Sequence, residues 1–513
     1  GGEERETNLL MFKSRKIFLL WLVPLAFLAL FYFYPLGNIL RLSFRRGDGA
    51  LWRVFWQAVT SATVRNVFGF TVWQALLSTL LTLGLGLPEA YLFARYRFRG
   101  KTLLRALAGV PFVMPTLVVA AGFNALLGPQ GWVNTALMAA FQLSEPPIRF
   151  MGTLPAILVA HVFYNTTIVL RMVGDFWSHL NPRLEQVARV LGGNRWETFR
   201  EITLPLLAPS VLASALLVFI FDFTSFGVIL ILGGPGFATL EVEIYYQTIS
   251  LFNLPMAATL SVLQLGCTLI LTVVYTRLAA TRSRPLSLRS REHTQRKFQT
   301  WVGRISAGLI IVLMLTLLIS PLLALAARSV TQLTPSRTRE ANVAQGLTLA
   351  FYRALGQNPQ ESLFYAPPTT ALGISLVYAI LTVLLSLVLG FPAAWALAQD
   401  EKSPLNRLMN PLLMLPLGTS AVTLGLGFIV SLDQPPLDLR ASPLLVPLAH
   451  TLVAFPFVVR SLTPALCSIQ PNLRQAAAVL GASPRQVFRH IDLPLVGRAM
   501  LVAATFAFTI SIG

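Results

Sequence analysis

Apolar residues run through this chain in blocks of twenty or more, separated by short polar or basic stretches. Such runs fall at about 18–38, 69–94, 103–127, 151–172, 206–232 and 255–277, then at about 304–327, 370–398, 407–431, 443–465 and 494–513. A helix needs ~20 apolar residues to cross a bilayer, so each block predicts one membrane span. Backbone polar groups in lipid must be satisfied within the segment, which makes these spans helices unless a barrel closes. Pro88, Pro111, Pro115, Pro392 and Pro416 lie inside the blocks, where a membrane helix tolerates them.

Composition agrees with that pattern. Of 513 residues, 55% are hydrophobic and 12% charged, too few charges for a water-facing globular surface. The excess of 40 Lys+Arg over 21 Asp+Glu gives a net charge of +19. In a soluble protein this excess would point to nucleic acid. Here it clusters in loops between apolar runs, as expected beside the cytoplasmic leaflet, so the partner is the lipid bilayer and not nucleic acid. Lys13, Arg15 and Lys16, then Arg95 to Arg105, then the many arginines of 277–304 all fall on one side if the N-terminus is cytoplasmic. The alternate stretch 233–254 has no Lys or Arg, only Glu241 and Glu243, and reads as a solvated outer loop. The arginines of 41–68 run against this orientation, which the other three basic loops outvote. Cys267 and Cys467 lack metal-ligand spacing and read as packing residues.

One polar insert appears twice. EQVARVLGGNRWETFREITLP at 185–205 returns as RQAAAVLGASPRQVFRHIDLP at 474–494, at a constant offset of 289 (481 − 192 and 494 − 205). From Pro182 to Leu206, 13 of 25 positions are identical to their partners. The same offset pairs His161 with His450, and an offset of 304 pairs Gly86 and Pro88 with Gly390 and Pro392. The chain is two homologous halves joined by a basic linker: residues 1–17 form a cytoplasmic N-terminal segment (1–10, before Met11, stand outside the fold), 18–280 a first module, 281–303 the linker and 304–513 a second module. Duplicated membrane halves are common in transporters.

Within the insert, Pro182 starts a helix on which Leu184, Val187, Val190 and Leu191 recur at helical spacing, and Gly192 ends it. A second short helix with Trp196, Phe199 and Ile202 follows before Leu204 and Pro205 open the next span. Helix pairs with an apolar face and small residues, present twice on the cytoplasmic side, fit docking onto a two-fold partner better than lying on the bilayer.

The pattern Gly, nine residues, Ile-x-Leu-Pro resembles the EAA loop of binding-protein-dependent ABC import permeases. The family's leading Glu aligns here with Gln186 and Gln475, with Glu185 one residue earlier. The resemblance implies an all-α polytopic membrane protein with two helical permease modules in tandem (the MetI-like ABC permease fold). It further implies that Glu185, Gln186, Ala188, Gly192, Phe199, Ile202, Leu204 and Pro205, with Gln475, Ala477, Gly481, Phe488, Ile491, Leu493 and Pro494, couple to a cytoplasmic ABC ATPase dimer. It implies an extracytoplasmic solute-binding protein and a bacterial inner membrane location. Two fused modules are similar to the thiamine and ferric-iron permeases, and LVAHVFYN at 158–165 and SFGVILILGGPGFATLEVEIYYQ at 225–247 resemble the thiamine type more. On this pattern the second module is expected to be incomplete, because the counterpart of 227–277 is missing.

No catalytic or metal site is expected. RGKT at 99–102 lacks the earlier glycine of a phosphate loop, that position being Arg95, so ATP is expected to be used by the partner ATPase and no cofactor bound here. Ionisable residues inside spans are costly and mark function or interhelical bonding. Asp222 is the first pathway candidate, where a cationic solute would be attracted, and packing is its alternative. His161 and His450, at equivalent positions, are further pathway candidates or a shared interhelical bond. A secondary transporter driven by an ion gradient is the competing class, and it would need paired intramembrane acids, of which the spans carry few.

Overall fold

The computed structural model describes residues 20–43, 56, 59–111, 114–280, 295, 298, 300–331, 347–357, 367–399, 403–433 and 438–512. Residues 1–17, most of the 281–303 linker and half of the arginine-bearing 41–68 loop lie outside them. Among the described residues the regular structure is helical, with no strand, and Thr331 and Leu347 form an isolated bridge. Nine helices among the described residues are long and apolar enough to cross a membrane.

In chain order the first half contains α1 (Leu20–Ser43) and α2 (Ala62–Arg95), then the short α3 (Lys101–Leu107), α4 (Thr116–Leu127) and α5 (Trp132–Phe141). It continues through α6 (Leu154–His179), α7 (Arg183–Val190), α8 (Trp196–Phe223), α9 (Leu240–Tyr245) and α10 (Leu254–Ala280). The second half holds α11 (Trp301–Ser329), α12 (Pro368–Gln399), α13 (Pro404–Met414), α14 (Ala421–Ser431), α15 (Leu445–Cys467), α16 (Pro471–Val479) and α17 (Pro484–Ile512).

Two expected spans are not continuous helices. The block at 103–127 stops at Leu107 and resumes at Thr116 behind Pro115, and the block at 407–431 stops at Met414, passes through a 3₁₀ turn at Leu415–Gly418 and restarts at Ala421. Pro111, Pro115 and Pro416 therefore do interrupt their helices, whereas Pro88 and Pro392 sit inside unbroken ones. Prolines remove a backbone donor and clash with the preceding turn, and several within one or two turns leave too few backbone bonds to carry the helix through. Both interrupted segments still have to return the chain across the bilayer. Ser78 meets His161, Gly86 meets Val169 and Ala90 meets Gly174, so α2 and α6 run parallel, and residues 96–153 must lead from the end of one to the start of the other.

The parallel pair is packed through small residues, as expected where lipid tails give no hydrophobic drive to helix association. A Cβ on Gly86 would lie 2.7 Å from Cβ of Val169, and one on Gly390 would lie 2.5 Å from Cγ1 of Val458. These are the same contact in both halves, since 86 and 390 differ by 304 and 169 and 458 by 289. Gly86→Ala or Gly390→Ala is therefore expected to cost about 1–3 kcal/mol from overpacking. Thermal unfolding of the purified permease checks this, and Val169→Ala or Val458→Ala should return most of the loss. Leu384 and Val388 on α12 and Leu309 and Val312 on α11 point outward, as lipid-facing positions do.

The chain forms two compact units that cross the sequence halves. One comprises 1–54, 254–262 and 354–513, the other 55–253 and 263–353. In the first, α1 packs on α14 of the second half, fixed by three polar bonds: Trp21 Nε1 donates to Asn406 Oδ1 (3.0 Å), the Tyr32 hydroxyl pairs with Thr419 Oγ1 (2.7 Å) and Asn38 Nδ2 donates to Ser431 Oγ (3.0 Å). In the second, α11 packs on α4, burying Met314 and Leu318 among Phe123, Phe163 and Ile229. The exchange repeats in detail. Pro35 of α1 sits against Gly427 of α14, and Pro321 of α11 sits against Gly122 of α4; a Cβ on either glycine would come within 2.9 or 3.0 Å of its proline residue.

Candidate functional site

The first helix of the duplicated insert forms as the sequence predicts. α7 and α16 end at Val190 and Val479, and one residue past Leu191 and Leu480 the chain turns at Gly192 (φ +94°) and Gly481 (φ +84°). Only glycine takes that left-handed turn without strain. The next helical turn is capped the same way in both halves. Asn194 and Glu197 exchange backbone-to-side-chain bonds at 2.8 and 2.9 Å, and Ser483 and Gln486 form the equivalent capping box.

The expected second short helix is not separate. A π-turn at Phe199–Thr203 joins it to Leu204–Phe223, and a matching π-turn at Phe488–Asp492 does so in the second half, giving the continuous α8 and α17. Leu204, Pro205, Leu493 and Pro494 thus lie within these helices and not at their start. A π-turn absorbs an extra residue while keeping the backbone bonded, so proline at the second position of the following α-segment does not stop the helix.

Burial is repeated position by position. Ala188 and Ala477, with Ile202 and Ile491, are half-buried, whereas Gln186 and Gln475, Gly192 and Gly481, Leu204 and Leu493, and Pro205 and Pro494 are exposed. Phe199 packs beside Trp196, and Phe488 packs edge-on to Phe391 and Trp395. At the tip of each insert stands an exposed aliphatic pair: Val190 is 86% and Leu191 82% exposed, Val479 88% and Leu480 87%. Their exposure distinguishes them from the other apolar residues on these helices, and the pattern of spacing alone did not single them out.

Charged residues brace the inserts. Glu185 accepts a hydrogen bond from the guanidinium of Arg95 and another from the Thr203 hydroxyl at 3.2 Å. In the other half Arg474 Nε donates to Asp492 Oδ1 at 2.8 Å. Arg95, Arg474 and Asp492 were not among the predicted site residues, although the 289 offset pairs Glu185 with Arg474 and Thr203 with Asp492.

Two of the three pathway candidates, Asp222 and His161, come together in a buried polar cluster within one unit. Asp222 Oδ1 accepts from Asn165 Nδ2 at 2.7 Å and lies 3.5 Å from His161 Nδ1, and its Oδ2 has no hydrogen-bond partner among the described residues. His161 bonds Ser78 Oγ through Nδ1 and Ser225 Oγ through Nε2, both at 2.9 Å, and Gln74 Nε2 donates to the Asp222 carbonyl at 2.9 Å. The cluster ties α2, α6 and α8 where α8 ends at Phe223. His450 sits in the equivalent place, its Nδ1 2.8 Å from Ser511 Oγ, which reaches Thr382 Oγ1 at 3.1 Å. The offsets pair Ser78 with Thr382 and Asp222 with Ser511, and place Ala454 and Tyr378 at the positions of Asn165 and Gln74. The carboxylate, the Asn165 amide that donates to it and the Gln74 amide that donates to the Asp222 main-chain carbonyl are thus replaced together in the second half.

Glu241 corrects another expectation. It is buried on α9, where its carboxylate accepts from Gln264 Nε2 at 2.6 Å, so this stretch is a packed helix and not a solvated loop.

A family model described as "Binding-protein-dependent transport system inner membrane component" matches residues 84–284, from the packed Gly86 through the first insert to α10. The chain is 26% identical over 498 residues to the thiamine transport system permease protein ThiP of Salmonella typhimurium, covering 96% of this chain and 87% of that protein. It is 27% identical to ThiP of Escherichia coli (90% and 81% covered) and 28% identical to ThiP of Brucella abortus (87% and 78%). With the insert and its glycine turn present twice among the described residues, the chain is similar along most of its length to permeases of binding-protein-dependent transport systems, and residues 84–284 carry the match to their inner membrane component.

Proposed function

We propose that the chain imports thiamine or a closely related cation, received from an extracytoplasmic binding protein and moved by a separate cytoplasmic ABC ATPase dimer. The relatives named above are thiamine permeases, which favours this solute over ferric iron. The observation that carries the coupling role is the pair of exposed aliphatic tips, Val190 with Leu191 and Val479 with Leu480, each held beyond a short helix by a left-handed glycine. Apolar side chains more than four-fifths exposed at equivalent places in two homologous inserts favour two equivalent docking points. ATP is bound and hydrolysed by the partner, and this chain contributes no catalytic group and binds no cofactor. In this orientation the N-terminus and both inserts are cytoplasmic. Alternating access follows when closure of the ATPases carries the inserts with it and the helices packed behind them open outward.

Proteoliposomes containing the permease, its ATPase and the binding protein test the reading. Labelled thiamine uptake that requires ATP and the binding protein supports it. ATP-dependent uptake of ferric iron without thiamine uptake would replace the solute, and gradient-driven uptake without ATP would overturn the mechanism.

A further inference from the structure

Among the described residues each insert is held to the membrane helices by one ion pair, and the polarity of that pair is reversed between the halves. In the first half the acid sits on the short helix: Glu185 of α7 receives Arg95, the last residue of α2, and Thr203 in the π-turn of α8. Arg95 is buried and donates also to the Leu180 carbonyl at 3.3 Å. In the second half the base sits on the short helix: Arg474 of α16 reaches Asp492, buried in the π-turn of α17, and its guanidinium lies 5.4 Å over the ring of Trp395 on α12. The position matching Arg95 there is Gln399, which carries no charge. Both arrangements therefore connect the short helix to the same two elements, the second long helix of its half and the root of the helix that follows the insert.

An eight- or nine-residue helix is marginal on its own and would otherwise pivot freely on its glycine turn. We propose that Arg95 and Arg474 are positioning residues that transmit displacement of α7 and α16 to the membrane helices, and that the reversed polarity keys each short helix to its own half. Ion pairs partly shielded from water serve well as register devices, because a like-charged mismatch is penalised more than a matched pair is rewarded. This inference rests on the coupling role proposed above.

The test uses the reconstituted importer with its ATPase and binding protein, reading labelled thiamine uptake and ATP hydrolysis in the same vesicles. Arg95→Glu and Asp492→Arg alone are expected to lower thiamine moved per ATP at least ~10-fold while hydrolysis continues. The swaps Arg95→Glu with Glu185→Arg, and Asp492→Arg with Arg474→Asp, should return it to within ~3-fold of wild type, as a double-mutant cycle requires of coupled groups. The neutral variants Arg95→Gln and Asp492→Asn, which avoid burying a like charge, should show the same loss in milder form. Wild-type stoichiometry in the single variants would overturn the proposal. So would equal loss of assembly, hydrolysis and uptake that the swaps leave uncorrected, since that marks an anchor needed only for folding. Absence of binding-protein-stimulated hydrolysis in the wild type would count against the importer reading itself and not against the braces.

Discussion

Replacing Val190 and Leu191, together with Val479 and Leu480, by aspartate is expected to abolish co-purification of the ATPase and reduce uptake by at least ~100-fold. A docked aliphatic pair at the centre of an interface is worth ~2 kcal/mol or more, and a carboxylate buried unpaired in its place adds a desolvation cost. Two such sites multiply, because each 1.4 kcal/mol is tenfold in affinity. All four side chains are exposed, so the permease itself should unfold at nearly the wild-type temperature; surface changes of this kind stay within about 0.5 kcal/mol. Retained assembly and uptake would show that the tips lie on the bilayer surface, the role of an interfacial amphipathic helix.

The largest effect on stability is expected at the buried cluster around Asp222. Asn165→Ala removes the donor to Oδ1 beside an Oδ2 that has no hydrogen-bond partner among the described residues, which should cost about 3 kcal/mol or more, because an unsatisfied buried carboxyl group loses more than a neutral one. The second half shows how the same site is built without the charge: Ser511 in place of Asp222 and Ala454 in place of Asn165. The double variant Asn165→Ala with Asp222→Ser reproduces that arrangement and should lose less than half as much as Asn165→Ala alone. Thermal unfolding of the four proteins gives the cycle. Additive losses would mean that Asn165 and Asp222 act independently and that the cluster is not a unit.

The periodicity of the chain made the repeat, the all-helical fold and the first helix of each insert legible, because glycine, proline and apolar spacing act locally. Gly192 and Gly481 stand at left-handed turns for the reason their residue type indicates. Interruptions of the apolar blocks were harder to see, since a run such as 103–127 has the same composition whether it is one helix or two, and Pro88 survives in a helix where Pro115 ends one. The continuity of α8 and α17 was hidden for the opposite reason: Pro205 and Pro494 look like helix starts, and the π-turn that accommodates them has no sequence mark. The braces were recoverable in principle. Glu185 and Arg474 occupy one aligned position with opposite charge, as do Thr203 and Asp492 with neutral and charged side chains, and a compensating difference of that kind within a repeat points to a contact. Glu241 was misjudged because it lies between apolar blocks, and only its tertiary partner Gln264 shows that the segment is packed.

The exchange of α1 and α11 between the halves also sets the order in which the molecule can become complete. A ribosome that has delivered residues 1–280 to the membrane has supplied α4 with its Gly122 but not the Pro321 that fills against it, and has supplied α1 without the α14 surface that receives it. The first half must therefore wait, with a groove open toward lipid on α4, until residue 329 has been inserted, and α1 must wait longer, until α14 arrives. Each sequence half is therefore packed to completion only by an element that the other supplies.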